Sequence, residues 1–392
     1  MAKLTVRDLD VRGRRVFVRV DFNVPFAADG SIRDDSRIRA GLPTIRFLLE
    51  QGAIPVLTSH LGKAKGKPDP KFSLKPVADR LAELLDRPVT FVPDCVGPAA
   101  QQAVAAAEAG SVLLLENLRF HPGETANDPD FCRELARLAD AYVNDAFGTA
   151  HRAHASTAGV ATLFSRPAAG LLMEREIRFL TQVVSSPARP YVAVIGGAKV
   201  SDKAGVIKNL LPKVDALFLG GGAAFNFLKA RGLEIGRSLW EPDLLDTVRQ
   251  LISDPKLRLP LDIVVAGSID ATAGTTVPAD RIPADQAGFD IGPETRAQFA
   301  PEMAAARTIV WAGPMGVFEN PAFAVGTETV ARAMAQATAN GSTTVVGGGD
   351  TVAALTRFNL RENITHVSTG GSASLEFLEG RTLPGVAALA DA

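Results

Sequence analysis

The sequence predicts an α/β protein of two domains, each built on a mainly parallel sheet, joined by a hinge helix. Three observations carry this expectation. In the second half, four apolar runs end in glycines and lead into helix-like stretches: 191–203 (YVAVIGGAKVSDK), 216–228 (ALFLGGGAAFNFL), 344–355 (TVVGGGDTVAAL) and 366–378 (HVSTGGSASLEFL). In the first half, strand-like runs alternate with helical patterns. Between the halves, Pro167, Pro187 and Pro190 flank one helical segment within a seam at 165–190. Continuous β-rich apolar runs belong to strands buried on both faces, and their alternation with helices gives crossover connections and parallel sheets. The halves therefore read as two similar, Rossmann-like domains.

Strands are expected at 15–20, 53–59, 89–93, 111–116 and 141–145, with helices at 39–51, 74–85 and 130–140 between them. In the seam, Met173, Ile177, Leu180 and Val184 recur at helical spacing, so that helix packs along one face. The glycine-ended strands follow. Glycine at a strand end lets a ligand approach the backbone and leaves N–H groups to meet it, which suits phosphate. Four such turns in one half-chain point to a phosphate or nucleotide crest.

Composition narrows the function. Of 392 residues, 46% are hydrophobic and 22% charged, enough to bury real cores. A formal net charge of −1 argues against a nonspecific nucleic-acid binder. The apolar stretches are strand-sized, which argues against a transmembrane span, and MAKLTVRDLD lacks the apolar core of a signal peptide. Cys95 and Cys132 make no metal-binding pattern and fit reduced thiols, so a cytoplasmic location is expected. The chain has no G-x-x-x-x-G-K-S/T loop, no G-x-G-x-x-G fingerprint, no H-R-D loop and no His/Cys metal cluster. Those absences exclude the common NTPase, dehydrogenase and protein-kinase readings.

Polar and basic groups gather where the first-half strands end. Asp21 and Asn23 follow the first strand, His60 and Lys63 the second, Arg119 the fourth, and Arg152 with His151 and His154 the fifth. Arg37 and Arg39 open the first helical stretch. Singly, each has a plainer reading: turn residues before Pro25, a solvated loop through Lys65 and Lys67, histidines that cap or pack. Recurrence outweighs these, because three of the five strand ends carry a cation, Arg37 opens the helix that follows a fourth, and parallel strands end on one edge. Arginines there suit a ligand with phosphate and carboxylate groups, which a planar guanidinium binds bidentately.

In the second half, Lys199 and Lys203 lie four apart after Gly196 and Gly197, on one face of a helix's first turns by spacing. The helix dipole disfavours cations there unless an anion is bound. Asp350 and Thr351, after the glycines at 347–349, both suit helix N-caps, and Asp350 is also a candidate to hold Mg²⁺ beside a nucleotide. Glu319 is either a surface acid or a partner for ribose hydroxyls.

VRVDFNVP, TSHLGK, ENLRF, DAFGTAHRAHAST, GGAKVSDK, FLGGGAAFNFL, GPMGVFE, GGGDT and VSTGGSASLE occur in the order found in phosphoglycerate kinases. The sequence resembles that family from Val16 to about Gly380. The resemblance implies reversible phosphoryl transfer between 1,3-bisphosphoglycerate and Mg-ADP, giving 3-phosphoglycerate and Mg-ATP in glycolysis and gluconeogenesis. It implies a monomer that uses Mg²⁺ and ATP or ADP and binds neither nucleic acid nor membrane. It also implies an N-terminal phosphoglycerate-binding domain at 1–170, an interdomain helix at 171–186, a nucleotide-binding domain at 187–376 and a returning C-terminal segment at 377–392.

By position, the resemblance puts Asp21, Asn23, Arg37, His60, Lys63, Arg119 and Arg152 on phosphoglycerate, with His154 nearby. It puts Lys203, Glu319, Gly348, Gly349, Asp350 and Thr351 on the nucleotide, Asp350 on the magnesium side, and Gly221, Gly222, Pro314 and Val317 in the adenosine pocket. Arg37, Lys199 and Gly371, the last in a helix start at 369–372, would surround the migrating phosphoryl group and carry catalysis. Three positions depart from the family pattern: Lys63 stands for the usual arginine, Ala312 for a common asparagine and Ser372 for a third glycine.

The implied chemistry needs no base, because the acceptor carboxylate is already ionised at neutral pH. What remains is to align two anions and neutralise charge on the moving phosphoryl group. With the ligand sets on different domains, closure about the hinge is expected to bring them together. A catalytically silent nucleotide-binding scaffold would have lost one of Arg37, Lys199 or Asp350. Another acyl-phosphate kinase would lack the N-terminal basic set. Both sets are present.

Overall fold

The computed structural model describes residues 2–392. The chain forms two compact units: one runs to Ile177 and takes in Thr382–Ala392, and the other is Arg178–Arg381. The boundary falls inside the helix Leu171–Ser185. Among the described residues, no helix is long and apolar enough to cross a membrane.

In the first unit, β1 (Arg15–Arg19), β2 (Ile54–Thr58), β3 (Thr90–Val92), β4 (Leu113–Leu115), β5 (Ala141–Asn144) and β6 (Ala168–Ala169) make one sheet. Its order is β3-β4-β2-β1-β5-β6 and every pair is parallel. The expected strands are all present, trimmed at their ends, and β6 is added at the edge. Burial explains the unbroken apolar runs: β2 buries all five of its residues. Val16, Val18, Leu57, Leu114 and Val143 share a core with Ile38, Ile45 and Leu48 of the helix Ser36–Glu50. The helix expected at 130–140 is Pro129–Ala136, and Asp140 instead pairs with Arg15. The end of the chain lies beside its start. Leu4 N–H donates to the Ala390 carbonyl, and Gly385 N–H to that of Ala150 in the loop after β5.

The second unit carries β7 (Tyr191–Ile195), β8 (Ala216–Leu219), β9 (Leu257–Arg258), β10 (Asp262–Ala266), β11 (Thr275–Pro278), β12 (Ala287–Ile291), β13 (Thr308–Ala312), β14 (Thr343–Gly347) and β15 (His366–Val367). Six of them form a parallel sheet in the order β15-β14-β13-β7-β8-β9. The other three form a small antiparallel sheet, β11-β10-β12. Val194, Phe218, Ile309, Trp311 and Val346 of the parallel sheet build the unit's core with Phe299 and Met334. Successive strands from β7 run one way across the sheet and those from β13 run the other. The order therefore reverses between β7 and β13, where open α/β sheets leave a crevice at their carboxyl ends.

Two local expectations are corrected. Residues 199–203 form bends and turns, and the helix is Ala204–Leu210 with Lys203 at its N-cap, so Lys199 and Lys203 share no helical face. Tertiary bonds hold that loop instead: Ser201 donates its N–H and hydroxyl to Glu241 at 2.8 and 2.7 Å. Asp350 and Thr351 do not cap their helix, which is Gly349–Arg357 with Gly348 at the N-cap.

Candidate active site

On the first crest, three loops converge on Gly62. Asn23 Oδ1, beyond β1, accepts from Gly62 N–H at 2.8 Å, and Arg119, beyond β4, donates to the Gly62 carbonyl. Asp21 Oδ2 accepts from Arg37 Nη1 at 2.8 Å, which holds Arg37 at the helix start above β1. His60 is buried, its Nδ1 3.0 Å from Arg19 Nη2 and 3.9 Å from Asp21 Oδ1.

Electrostatics join these groups into one cationic cluster. Burial, then the charges of Arg19, Arg119, Arg152 and Arg37, push the His60 imidazole well below the usual histidine range. Burial, then Arg119, Arg152, Arg19 and His151, lower His154 to about 4. Arg119 is itself lowered, by burial and then by Arg152 and Arg19. His60 and His154 are therefore neutral at pH 7, and they join the crest as uncharged polar rings rather than as cations. Arg152 is exposed against His151, and Lys63 is exposed on the loop after β2. The sequence did not single out Arg19. It lies within β1, flanked by valines, and nothing in its pattern separates it from a solvent-facing strand position.

On the second crest, the loops after β7, β8 and β13 pack backbone on backbone. Gly197 N–H donates to the Pro314 carbonyl at 2.8 Å and Gly221 N–H to that of Met315 at 2.9 Å. Gly313 N–H donates to the buried Thr351 hydroxyl at 2.7 Å. A Cβ on Gly222 would lie 2.1 Å from the Ala198 oxygen, so no side chain fits. The expectation that these glycines free their N–H groups for a ligand is thus only partly met. Gly197 and Gly221 spend theirs on neighbouring loops, while the first turn of Gly349–Arg357 keeps the unpaired groups of a helix start.

Beside this seam lies a cavity of about 600 Å³ lined by Gly221, Gly222, Phe225, Leu239, Phe289, Pro314 and Val317, with Glu319 also on its wall. An adjoining cavity of about 610 Å³ is lined by Lys199, Lys203, Gly348, Gly349, Asp350, Thr351, Gly371 and Ser372. Gly197, Ala198 and Asp350 line both, so the two are continuous. Lys203 is buried, and burial lowers its ammonium pKa against the opposing pull of Asp202, Asp350 and Glu379. A mainly apolar cavity roomy enough for a nucleoside, running into one with two lysines and a helix start, has the order of groups that a nucleoside phosphate needs. Asp350 is an exposed carboxylate where the cavities meet, and such a hard oxygen donor beside phosphates fits Mg²⁺.

The departures are accommodated. Gly371, with φ 53°, takes the left-handed conformation and Ser372 begins the helix Ser372–Leu378. Ala312 ends β13 fully buried. Asp290, on the wall of the first cavity, carries no sequence signal. Burial pushes its carboxyl up to about 7, against hydrogen bonds from the N–H groups of Gly326 and Ile291. Away from both crests, Asp94, Cys95 and His121 do converge, contrary to the expected absence of a His/Cys cluster. The Asp94 Oδ1 there is already shared by His121 Nε2 and Cys95 N–H, both at 2.7 Å, and the thiol is fully buried.

Comparisons with known proteins agree with this geometry. The family model described as phosphoglycerate kinase matches residues 6–381. The phosphoglycerate kinase of Koribacter versatilis is 54% identical over 402 residues, covering 99% of each chain. That of Chloroflexus aurantiacus is 55% identical over 400 residues, covering 100% of each. Among solved structures, phosphoglycerate kinase from Coxiella burnetii superposes with a TM-score of 0.90 at 42% identity, and that from Pyrococcus horikoshii with 0.83 at 34%, each covering 98% of both chains. With a family model spanning nearly all of its length, and relatives above half identity from end to end, the chain belongs to the phosphoglycerate kinase family.

Proposed function

We propose that the first unit binds the three-carbon phospho-acid and the second binds ATP or ADP with Mg²⁺, and that the enzyme transfers a phosphoryl group between them. The enzyme is a phosphoglycerate kinase by family, a transferase of glycolysis. The observation that carries the division of labour is the paired cavity at the β7/β13 reversal, apolar at one end and offering Lys199, Lys203 and the first turn of the helix Gly349–Arg357 at the other.

On this reading, Arg37, Arg119, Arg152 and Lys63 neutralise the phosphate and carboxylate of the acid, and Asp21, Asn23, His60 and His154 orient it. Gly221, Gly222, Pro314 and Val317 enclose adenosine, Glu319 takes the ribose, and Lys203 with Gly348, Gly349 and Thr351 takes the phosphates. Asp350 would hold Mg²⁺, which neutralises phosphate oxygens when bound. Arg37, Lys199 and Gly371 act on charge at the transferring group. No base is needed, since the acceptor carboxylate is ionised. A cytoplasmic monomer is the reading that fits the family, and the near-neutral net charge of −1 accords with the lack of a nucleic-acid partner.

The test is a coupled assay with 3-phosphoglycerate and Mg-ATP across pH 7 to 9. Turnover is expected, and KM for 3-phosphoglycerate is expected to stay flat. His154, with its pKa lowered to about 4, and His60, lowered well below its usual range, are neutral throughout that window and protonate only as the pH falls far below it. The phosphate itself takes its second proton near pH 6, so the window avoids that step. No turnover would overturn the assignment, and a histidine-like inflection in KM would overturn the roles of the two histidines as uncharged rings.

A further inference from the structure

Arg19 is 1% exposed within β1, a place where a cation needs both a counter-charge and acceptors for its N–H groups. Its acceptors are clear. Nε donates to Ser156 Oγ at 2.9 Å, Nη1 donates to the Val20 carbonyl, and Nη2 lies 3.0 Å from His60 Nδ1. Its strongest counter-charge is Glu124, ahead of Asp21, and Glu124 reaches it through Ser156 rather than directly. The Glu124 carboxylate, also 1% exposed, accepts the Ser156 hydroxyl at 2.6 Å and the Ser156 N–H at 2.9 Å.

We propose that Glu124 is a positioning residue for the substrate crest: acting through Ser156 and Arg19, it fixes His60 as the tautomer protonated on Nε2. The direction of each bond follows from what each group can do. A guanidinium only donates, so His60 Nδ1 must accept, and the single proton of the neutral ring sits on Nε2. The Ser156 hydroxyl has one proton; giving it to Glu124 leaves lone pairs for Arg19 Nε. The turn does not depend on Glu124 alone, because the Tyr142 hydroxyl donates to the Ser156 carbonyl at 2.9 Å. The tautomer matters on a crest that binds anions. An Nε2–H donates to an oxyanion, whereas a bare Nε2 lone pair repels one. That His60 meets the substrate rests on the reading above; the tautomer does not.

The experiment is a long-range ¹H–¹⁵N correlation on the full-length enzyme labelled at its 5 histidines, with His60 assigned by its loss in His60→Gln. At pH 7.5 to 8, native His60 is expected to show a bare Nδ1 and a protonated Nε2. In Glu124→Gln, whose amide can turn a donor toward Ser156, His60 is expected to populate both tautomers. KM for 3-phosphoglycerate should then rise about tenfold, the scale of one hydrogen bond to a charged group, with kcat and KM for Mg-ATP changed by less than about twofold. Ser156→Ala breaks the same link and should shift the tautomer likewise, so a poorly folded Glu124→Gln does not end the test. Glu124→Asp, which keeps the charge, should recover part of the native spectrum and KM. A native His60 protonated on Nδ1, or native tautomer and KM in folded Ser156→Ala and Glu124→Gln, would overturn the proposal. A shifted tautomer with unchanged KM would overturn the substrate role of His60 while leaving the hydrogen-bond relay in place.

Discussion

Replacing Lys199 or Arg37 by alanine is expected to lower kcat by about a hundredfold or more, with smaller changes in KM. The enzyme's acceptor is already nucleophilic, so most of the barrier that the protein can remove is electrostatic, and a cation facing developing charge carries a large share of it. Lys199 is exposed on a loop held from elsewhere by Ser201 and Glu241, so its ammonium is not consumed in holding the fold. Lys203 differs: it is buried at the N-cap position of the helix Ala204–Leu210, so Lys203→Ala should disturb packing as well as binding. Arg37 commits one nitrogen to Asp21, and its side chain remains 41% exposed. Arg37→Lys should therefore restore only part of the rate, since the charge returns without the planar fork. Steady-state kinetics with both substrates decides it. Near-normal turnover in either alanine variant would remove that residue from the transferring group.

Gly313→Ala is expected to damage stability and nucleotide binding together. The residue has φ +99°, and a Cβ there would lie 2.2 Å from the Gly196 oxygen and 2.8 Å from Gly197 N. The obstacle is backbone at the junction of β7 and β13, so no side-chain rotation relieves it. Strain and forced displacement add to about 3 kcal/mol or more. In a unit of this size that corresponds to a loss of roughly 6–12 °C in Tm. Nucleotide affinity should fall as well, because Gly313 N–H bonds Thr351 and the residue lines the cavity that holds Lys199 and Lys203. Gly267→Ala is the matched control. It lines the base cavity, yet its Cβ would meet nothing within 4 Å and its φ is not left-handed. Thermal melts of the two variants should separate clearly; equal melts would refute the close backbone packing.

Where burial shapes the pattern, the sequence was legible. β2, β7 and β14 read as strands because their neighbours cover both faces, and the glycines after them mark where loop backbones touch. β13 escaped although it lies at the middle of its sheet, because Trp311 and Ala312 run into a Gly-Pro pair rather than a glycine cluster. In the antiparallel β10–β12 sheet, β11 escaped for the opposite reason: it is largely exposed and threonine-rich, with no apolar run to notice, although β10 is a buried apolar run. Lys199 and Lys203 misled because spacing is local, whereas the bonds from Ser201 to Glu241 and from Gly197 to Pro314 are not. Motif resemblance supplied the candidate site residues, but not the groups packed behind them. Arg19, Glu124 and Ser156 sit far apart in the chain, and only the fold turns them into a buried hydrogen-bonded chain. Asp290 is the same case on the other crest.

The division of labour between the two units is tested most directly by titration calorimetry of each ligand alone on Arg119→Ala and Glu319→Ala. Arg119 belongs to the cluster on the first crest and Glu319 to the wall of the base cavity on the second. Arg119→Ala is expected to weaken 3-phosphoglycerate binding by about tenfold or more, the loss of a charge-assisted contact, and to leave Mg-ATP binding unchanged. Glu319→Ala should do the reverse. If Arg119→Ala weakened both ligands equally, the assignment of one substrate to each unit would be contradicted.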